Sequence, residues 1–347
     1  MATELSIVMP IFNRPKELRV MLDSIRANTF QNWELLAVDD GSEQETLSIL
    51  ELYANQDERI HFIKREREPK GAQTCRNIGM EMSKGKYIVF FDSDDYIAPY
   101  CLEQRIMGIN TRPDLDFIVF PSGIFRNNCF HPIPNKKSFG YPIYKDDIAS
   151  FCARVLPFVV CNNIYRTQSL RNQGLSWDEK LLSLQDGDFN LQSLLAGLHY
   201  DYAQNPPDYG YRIAGNDGSI SKRITSTAHI NSHLYFIEKN YQTVQNKNGN
   251  KYNKALFLGV QFIYNLSFVA KEHYNQAMRL AEIVNQYSPG YSRIFLAKIK
   301  LYRFLCYLCS NTLAKKIVMA DYFLWRKWLE WEAAYRRRKY WQHIKQF

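Results

Sequence analysis

Ile88-Val89-Phe90-Phe91-Asp92-Ser93-Asp94-Asp95 sets a run of β-branched and aromatic residues directly against three carboxylates. The apolar half reads as a buried strand. Carboxylates buried without partners are costly, so these belong at a solvated strand end or around a cation. In an open α/β sheet, ligands bind at the carboxyl ends of strands. Hard oxygen donors select Mg²⁺ or Mn²⁺ over zinc, which prefers nitrogen and sulfur. A solvated turn, with Asp95 capping whatever follows, is the other reading of the same residues.

Upstream, strand-like and helix-like patterns alternate. Leu5–Met9 reads as a strand closed by Pro10, and Pro15 opens a helix through Leu18, Met21, Leu22 and Ile25. Trp33–Val38 is a second strand, ending in Asp39-Asp40-Gly41-Ser42, and a helix with Leu47, Leu50 and Leu52 follows. Ile60–Ile63 is a short strand; Gly71 precedes a helix through Arg76, Ile78 and Met82, which Gly85 stops. This alternation predicts a mostly parallel, Rossmann-like sheet flanked by helices. Two of its strands end in acidic clusters, and parallel strands bring both clusters to one sheet edge. No Gly-x-Gly-x-x-Gly and no Gly-Lys-Ser/Thr loop is present, so phosphates would be held through metal and side chains.

Beyond Pro121 the alternation fades, and 121–147 reads as loop or irregular strand. Cys161–Arg166 is a short strand with a polar end. Gln185-Asp186-Gly187-Asp188 opens a helix through Leu191, Leu194 and Leu195, so Asp186 is either a helix cap or a functional carboxylate near a favourable dipole. The Tyr211–Ser221 loop is a surface turn or a lid. From Thr225 onward the pattern is helical, with a break at Ser288-Pro289-Gly290 and a last helix over 312–346.

The chain has 347 residues, 46% of them hydrophobic, enough for one large domain or two modest ones. Its net charge of +9 is uneven. Residues 291–347 hold 13 Lys or Arg against 3 Asp or Glu, a balance of +10, which leaves the first 290 near neutrality. Seven scattered cysteines suit a reducing compartment, and Cys306-x-x-Cys309 lacks a second pair. With no leader-like start and no long apolar span, the sequence reads as cytoplasmic.

Together these stretches resemble the family 2 glycosyltransferases, inverting enzymes of GT-A fold. The match runs in order over residues 4–225. It is carried by Ser6–Asn13, Val38–Ser42, Arg76-Asn77-Ile78-Gly79, Gly85–Ile88, Phe91–Asp95, Gln185–Asp188 and the Tyr211–Ser221 loop. The resemblance implies a GT-A domain over 1–225, with a nucleotide-sugar half (1–120) and an acceptor half (121–225), then a helical region over 226–347. It implies that Asp40 meets the nucleotide base, Phe12 packs on it, Pro10 shapes the loop beneath, and Asn13, Asp39, Arg76 and Arg212 also contact donor. Asp92 would hold ribose or metal-bound water, and Asp94 would ligate Mn²⁺ or Mg²⁺ with Asp95 beside it. Asp186 would be the general base, with Asp188 as runner-up because Gln185 replaces the family's usual Glu before the Asp. The implied reaction is transfer of one sugar from a nucleotide donor, UDP-linked, to a glycan or lipid-linked acceptor of surface polysaccharide, with no processive Gln-x-x-Arg-Trp motif. A non-catalytic nucleotide-sugar-binding or membrane-docking protein is the alternative.

The tail lies outside the resemblance. Trp328, Trp331 and Tyr335, flanked by Arg326, Lys327 and Arg336–Lys339, fit either an anionic membrane surface, reached through 312–347 on the cytoplasmic face, or packing onto protein. No nucleic-acid-binding module accompanies the basic run.

Overall fold

The computed structural model describes residues 2–133, 138–143, 146–213, 226–264 and 273–308, with scattered single positions beyond. The first half alternates as its periodicity requires: β1 (Leu5–Ile11), α1 (Pro15–Arg26), β2 (Trp33–Asp39), α2 (Gln44–Gln56), β3 (Ile60–Lys64), α3 (Ala72–Met82) and β4 (Tyr87–Phe90). Then come β5 (Tyr96–Ile97), α4 (Cys101–Thr111), β6 (Phe117–Val119), β7 (Ser122–Arg126), β8 (Cys129–His131) and α5 (Asp147–Cys152). They are followed by β9 (Asn163–Arg166), α6 (Thr167–Asn172), α7 (Gln185–Leu195), β10 (Tyr200–Tyr202) and β11 (Tyr209–Arg212). The helical region contains α8 (Thr227–Asn248), α9 (Asn253–Ile263), α10 (Tyr274–Tyr287) and α11 (Pro289–Leu308).

Seven strands form the main sheet in the order β10-β6-β9-β4-β1-β2-β3. All run parallel except β9, which is antiparallel to both β4 and β6. The ends of β2 and β4 therefore flank the end of β1 at one edge, which brings the two acidic clusters together. Pro10, expected to close β1, lies within it, and Ile11 still pairs with Asp39. Successive residues of a parallel strand bond to opposite neighbours. Val8 O accepts from Phe91 N–H, so Pro10 also faces β4, which has ended at Phe90. Its missing N–H therefore costs the ladder nothing.

The Arg76–Gly79 motif has a packing reason as well as a chemical one. A Cβ on Gly79 would lie 2.5 Å from Val8 Cγ1, so glycine lets α3 settle on β1. Asn77 on the next helix face exchanges hydrogen bonds with the Trp177 backbone, 2.8 Å and 2.9 Å long.

Three expectations change. Residues 121–147 contain the β7–β8 hairpin, part of a four-stranded sheet ordered β5-β11-β7-β8. Asp95 caps no helix, because β5 follows it and α4 starts only at Cys101. The Ser288–Gly290 break is a one-residue interruption, since α11 begins at Pro289. Residues 214–221 of the loop and most of 312–347 lie outside the described residues.

The helical region is not a separate body. One apolar core runs from Val8, Phe90 and Phe117 through Trp177 and Phe189 to Phe236, Phe257, Leu280, Phe295 and Tyr302. The six described cysteines are free thiols. Among the described residues no helix is long and apolar enough to cross a membrane.

Candidate active site

Asn13 and Arg14, between β1 and α1, take left-handed φ values of 56° and 61°. The cost of that conformation is offset by two bonds to the β2–α2 turn: Asn13 N–H donates to Ser42 Oγ, and Glu43 N–H donates to Asn13 Oδ1, both at 2.9 Å. Asp39 orders the same turn by accepting from the backbone N–H groups of Gly41 and Ser42. The two turns are thus tied together, and Phe12 stands out beside them, 45% exposed. The Lys70 ammonium lies 3.9 Å from the centre of its ring. Asp40 is buried, and its Oδ1 accepts from Arg65 Nε at 2.7 Å and Gly71 N–H at 3.0 Å.

At the end of β4 the three carboxylates part company. Asp92 Oδ1 accepts from Arg76 Nη2 at 2.7 Å. Asp94 pairs with the Arg14 guanidinium. Asp95, grouped with them as a metal residue from the sequence, is buried: Oδ2 accepts from Tyr209 Oη at 2.7 Å and Oδ1 from Arg212 N–H at 2.6 Å. Burial beside Asp92 pushes its carboxyl up to about 7. Asp95 therefore fastens β11 to the acidic stretch, with both oxygens occupied by protein donors. Arg212 adds a bond from Nε to the Asp94 carbonyl and lies over Phe125 at 4.7 Å.

Arg76 joins the end of β4 to the start of α7. It is buried, stacked 4.5 Å from the Trp177 ring, with Nη2 on Asp92 and Nη1 4.0 Å from Asp186 Oδ1. Trp177 in turn stacks on Phe189 at 4.4 Å and meets Phe90 edge-on, which fixes the guanidinium plane. Asp186 sits in the first turn of α7, and the N-cap is Leu184 at φ 66°, so Asp186 does not cap the helix. Burial raises its pKa to about 6 despite Arg76, with Asp92 adding to the rise. Its side chain keeps 29% exposure.

Gln185 shows why an amide replaces the expected Glu. Its oxygen accepts from Arg76 at 3.3 Å, while its nitrogen donates to Gln73 Oε1 at 2.7 Å and Leu181 O at 2.9 Å. A carboxylate could not donate either bond. Asp188, two residues on and so on another helix face, points away from Asp186. It is buried against Lys239 at 2.7 Å and Asn240 at 3.2 Å of α8, so both of its oxygens already accept hydrogen bonds from protein.

Residues 6–173 match the family described as Glycosyl transferase family 2. Those residues form a domain of that family. It is 27% identical over 290 residues to an uncharacterized glycosyltransferase of Haemophilus influenzae, covering 82% of this chain and 92% of that protein. Among solved structures it is similar to Staphylococcus aureus TarS residues 1–349 in complex with UDP-GlcNAc (TM-score 0.67, 18% identity, 86% of this chain and 89% of that one). It is also similar to the Pyrobaculum calidifontis mannosyltransferase PcManGT in complex with GDP-Man and Mn²⁺ (TM-score 0.52, 14% identity, 97% and 87%). At these identities the structural likeness shows the GT-A fold.

In this family 2 domain, the donor set suits a hard cation that is completed by substrate. Among the described residues no three His, Cys, Asp or Glu side chains form a metal cluster. Mg²⁺-type ions are commonly held by one or two carboxylates plus substrate phosphates. Asp94, 27% exposed at a strand end, fits such a site, with Asp92 as its neighbour and Asp95 turned inward. Sequence reasoning missed Arg14, Lys70, Trp177 and Tyr209. Arg14 and Lys70 adjoin recognised motifs and are cations near acidic strand ends, a signal that was available. Trp177 and Tyr209 look like any buried aromatic until their partners from distant segments are known.

Proposed function

We propose that the chain transfers one sugar from a nucleotide-diphosphate donor, UDP-linked, to a glycan acceptor by a single displacement with inversion. The observation that carries the proposal is the convergence of Asp92 and Asp186 on Arg76. One buried guanidinium links the donor end of the cleft to a carboxylate whose pKa of about 6 suits a general base near neutrality. UDP-GlcNAc bound to TarS supports the choice of nucleotide, and Mn²⁺ bound to PcManGT supports the choice of cation.

Phe12 offers its exposed face to the base, with Lys70 moving aside or onto phosphate, and Asp39, Asn13 and Pro10 hold the loop beneath. Asp40 accepts a hydrogen bond from the base. Asp94 holds Mn²⁺ or Mg²⁺, assisted by Asp92; when bound, the cation stabilises charge on the departing diphosphate. Asp186 takes the proton from the attacking acceptor hydroxyl, and Arg76 keeps that carboxylate ionised until it does so. Arg212, fixed by Asp95, bounds the acceptor side. A lipid-linked acceptor in surface-polysaccharide assembly, met by a peripheral enzyme on the cytoplasmic face, accounts for the basic C-terminal region.

Asp186→Asn and Asp94→Ala test this against a non-catalytic binding protein. Transfer from UDP-sugars with Mn²⁺ should fall by about 10²–10⁴-fold in Asp186→Asn, while UDP binding by calorimetry stays near wild type. Asp94→Ala should lose both transfer and cation-dependent UDP binding. Wild-type protein that binds UDP yet consumes no nucleotide sugar would favour the binding role.

A further inference from the structure

The helix α11 presents two apolar faces. Phe295, Ile299 and Tyr302 are buried against the core. On the other side Ile294, Leu301, Phe304 and Leu308 are 64%, 54%, 57% and 62% exposed, and Tyr307 beside them is 83% exposed. Their spacing of seven, three and four keeps Ile294 to Leu308 in one stripe along the helix. Exposed Arg293, Lys300 and Arg303 border it, and no Asp or Glu occurs anywhere in α11. A stripe of this kind is unusual on a face that meets only water.

We propose that this face of α11 docks on an anionic lipid surface, with the apolar stripe entering the headgroup boundary and the arginines and lysine meeting lipid phosphates. Charge decides among the possible occupants. Residues 309–347 carry nine Lys or Arg and three Asp or Glu, so the chain's own continuation offers the basic border of α11 like charge rather than complementary charge. A second copy would set cation against cation. An anionic bilayer satisfies both the apolar stripe and its rim, the combination that holds amphipathic helices at membrane interfaces. The docking face is also tied to the chemistry. α11 packs on α10, α10 on α8, and α8 holds Asp188 through Lys239, two residues from Asp186. The inference rests on the reading of a membrane-borne acceptor and locates the surface that meets it.

The test is flotation of the full chain with vesicles of phosphatidylcholine alone or with added phosphatidylglycerol. Wild type should partition to the mixed vesicles and weakly to the neutral ones. Leu301→Ser/Phe304→Ser/Leu308→Ser should lower partition at least about tenfold with thermal stability unchanged, since these side chains leave the core intact. Lys300→Glu/Arg303→Glu should abolish the preference for phosphatidylglycerol. Undiminished partition of the triple-serine protein, or no partition by wild type, overturns the proposal. So does a wild-type dimer that the serine substitutions render monomeric. Hydrolysis of UDP-sugar in solution separates the two readings: it should be equal in wild type and the serine variant, and its absence from both would strike the transferase role while leaving the partition result standing.

Discussion

Arg76→Met should move the acidic limb of the pH–rate profile, because Arg76 is the group that opposes the burial of Asp186. The separation from Nη1 to Asp186 Oδ1 is 4.0 Å. At that distance a unit-charge pair at an effective dielectric constant near 20 interacts by about 4 kcal/mol. That corresponds to roughly three pKa units, an upper bound. The 29% exposure of the Asp186 side chain admits water and screens part of it, so an upward shift of about one to two units is expected. The wild-type limb in kcat/KM, which reports the free enzyme, should lie near pH 6, because burial raises the Asp186 carboxyl to about 6. In the variant it should lie at about pH 7–8, with activity recovering on further addition of base. Loss of the Asp92 partner should raise KM for donor without recovery. An acidic limb that stays where it was, or shifts downward, would refute the assignment of Asp186 as base.

The same carboxylate should cost stability. An Asp raised above its unfolded value contributes nothing below about pH 4, and its penalty grows to full size as pH passes about 6. Asp186→Asn should therefore stabilise the protein by about 1–3 kcal/mol at pH 8 and leave it unchanged at pH 3.5, read from denaturant midpoints. Lys239→Met leaves Asp188 buried without its cation and should lower stability by about 3 kcal/mol, with Asp188→Asn in the same chain restoring part of it. Phe12→Ala should weaken UDP binding about tenfold in calorimetry and leave the melting temperature in place, because the ring lies outside the core.

The stretch up to β4 was legible because its signals are local. Each helix and strand up to β4 carries its own period, and parallel order follows from the alternation. The β7–β8 hairpin, too, has its turn written in the chain. Asn127 and Asn128 take φ values of 53° and 55°, the paired left-handed geometry for which Asn is suited in two-residue hairpins. Pro121 and Pro132 on either side disguised it as irregular loop. The separate duties of Asp92, Asp94 and Asp95 could not be read locally. They depend on Arg76, Arg14 and Tyr209, which come from three other segments. The pairing of Asp188 likewise depends on Lys239 of α8, about fifty residues away in the chain.

The antiparallel strand β9 has a consequence for how the chain is made. During synthesis β1 to β4 emerge first, and β4 can pair at once with β1. Its other side remains an open edge of Tyr87-Ile88-Val89-Phe90 until β9 has left the ribosome. β6 waits for the same strand. The residues that lead into Asp92 are thus a sticky, half-paired ribbon for much of translation, and a premature stop ahead of Asn163 would release a product prone to edge-to-edge association. The acidic stretch gains its final setting only when the last third of the catalytic fold arrives to shield it.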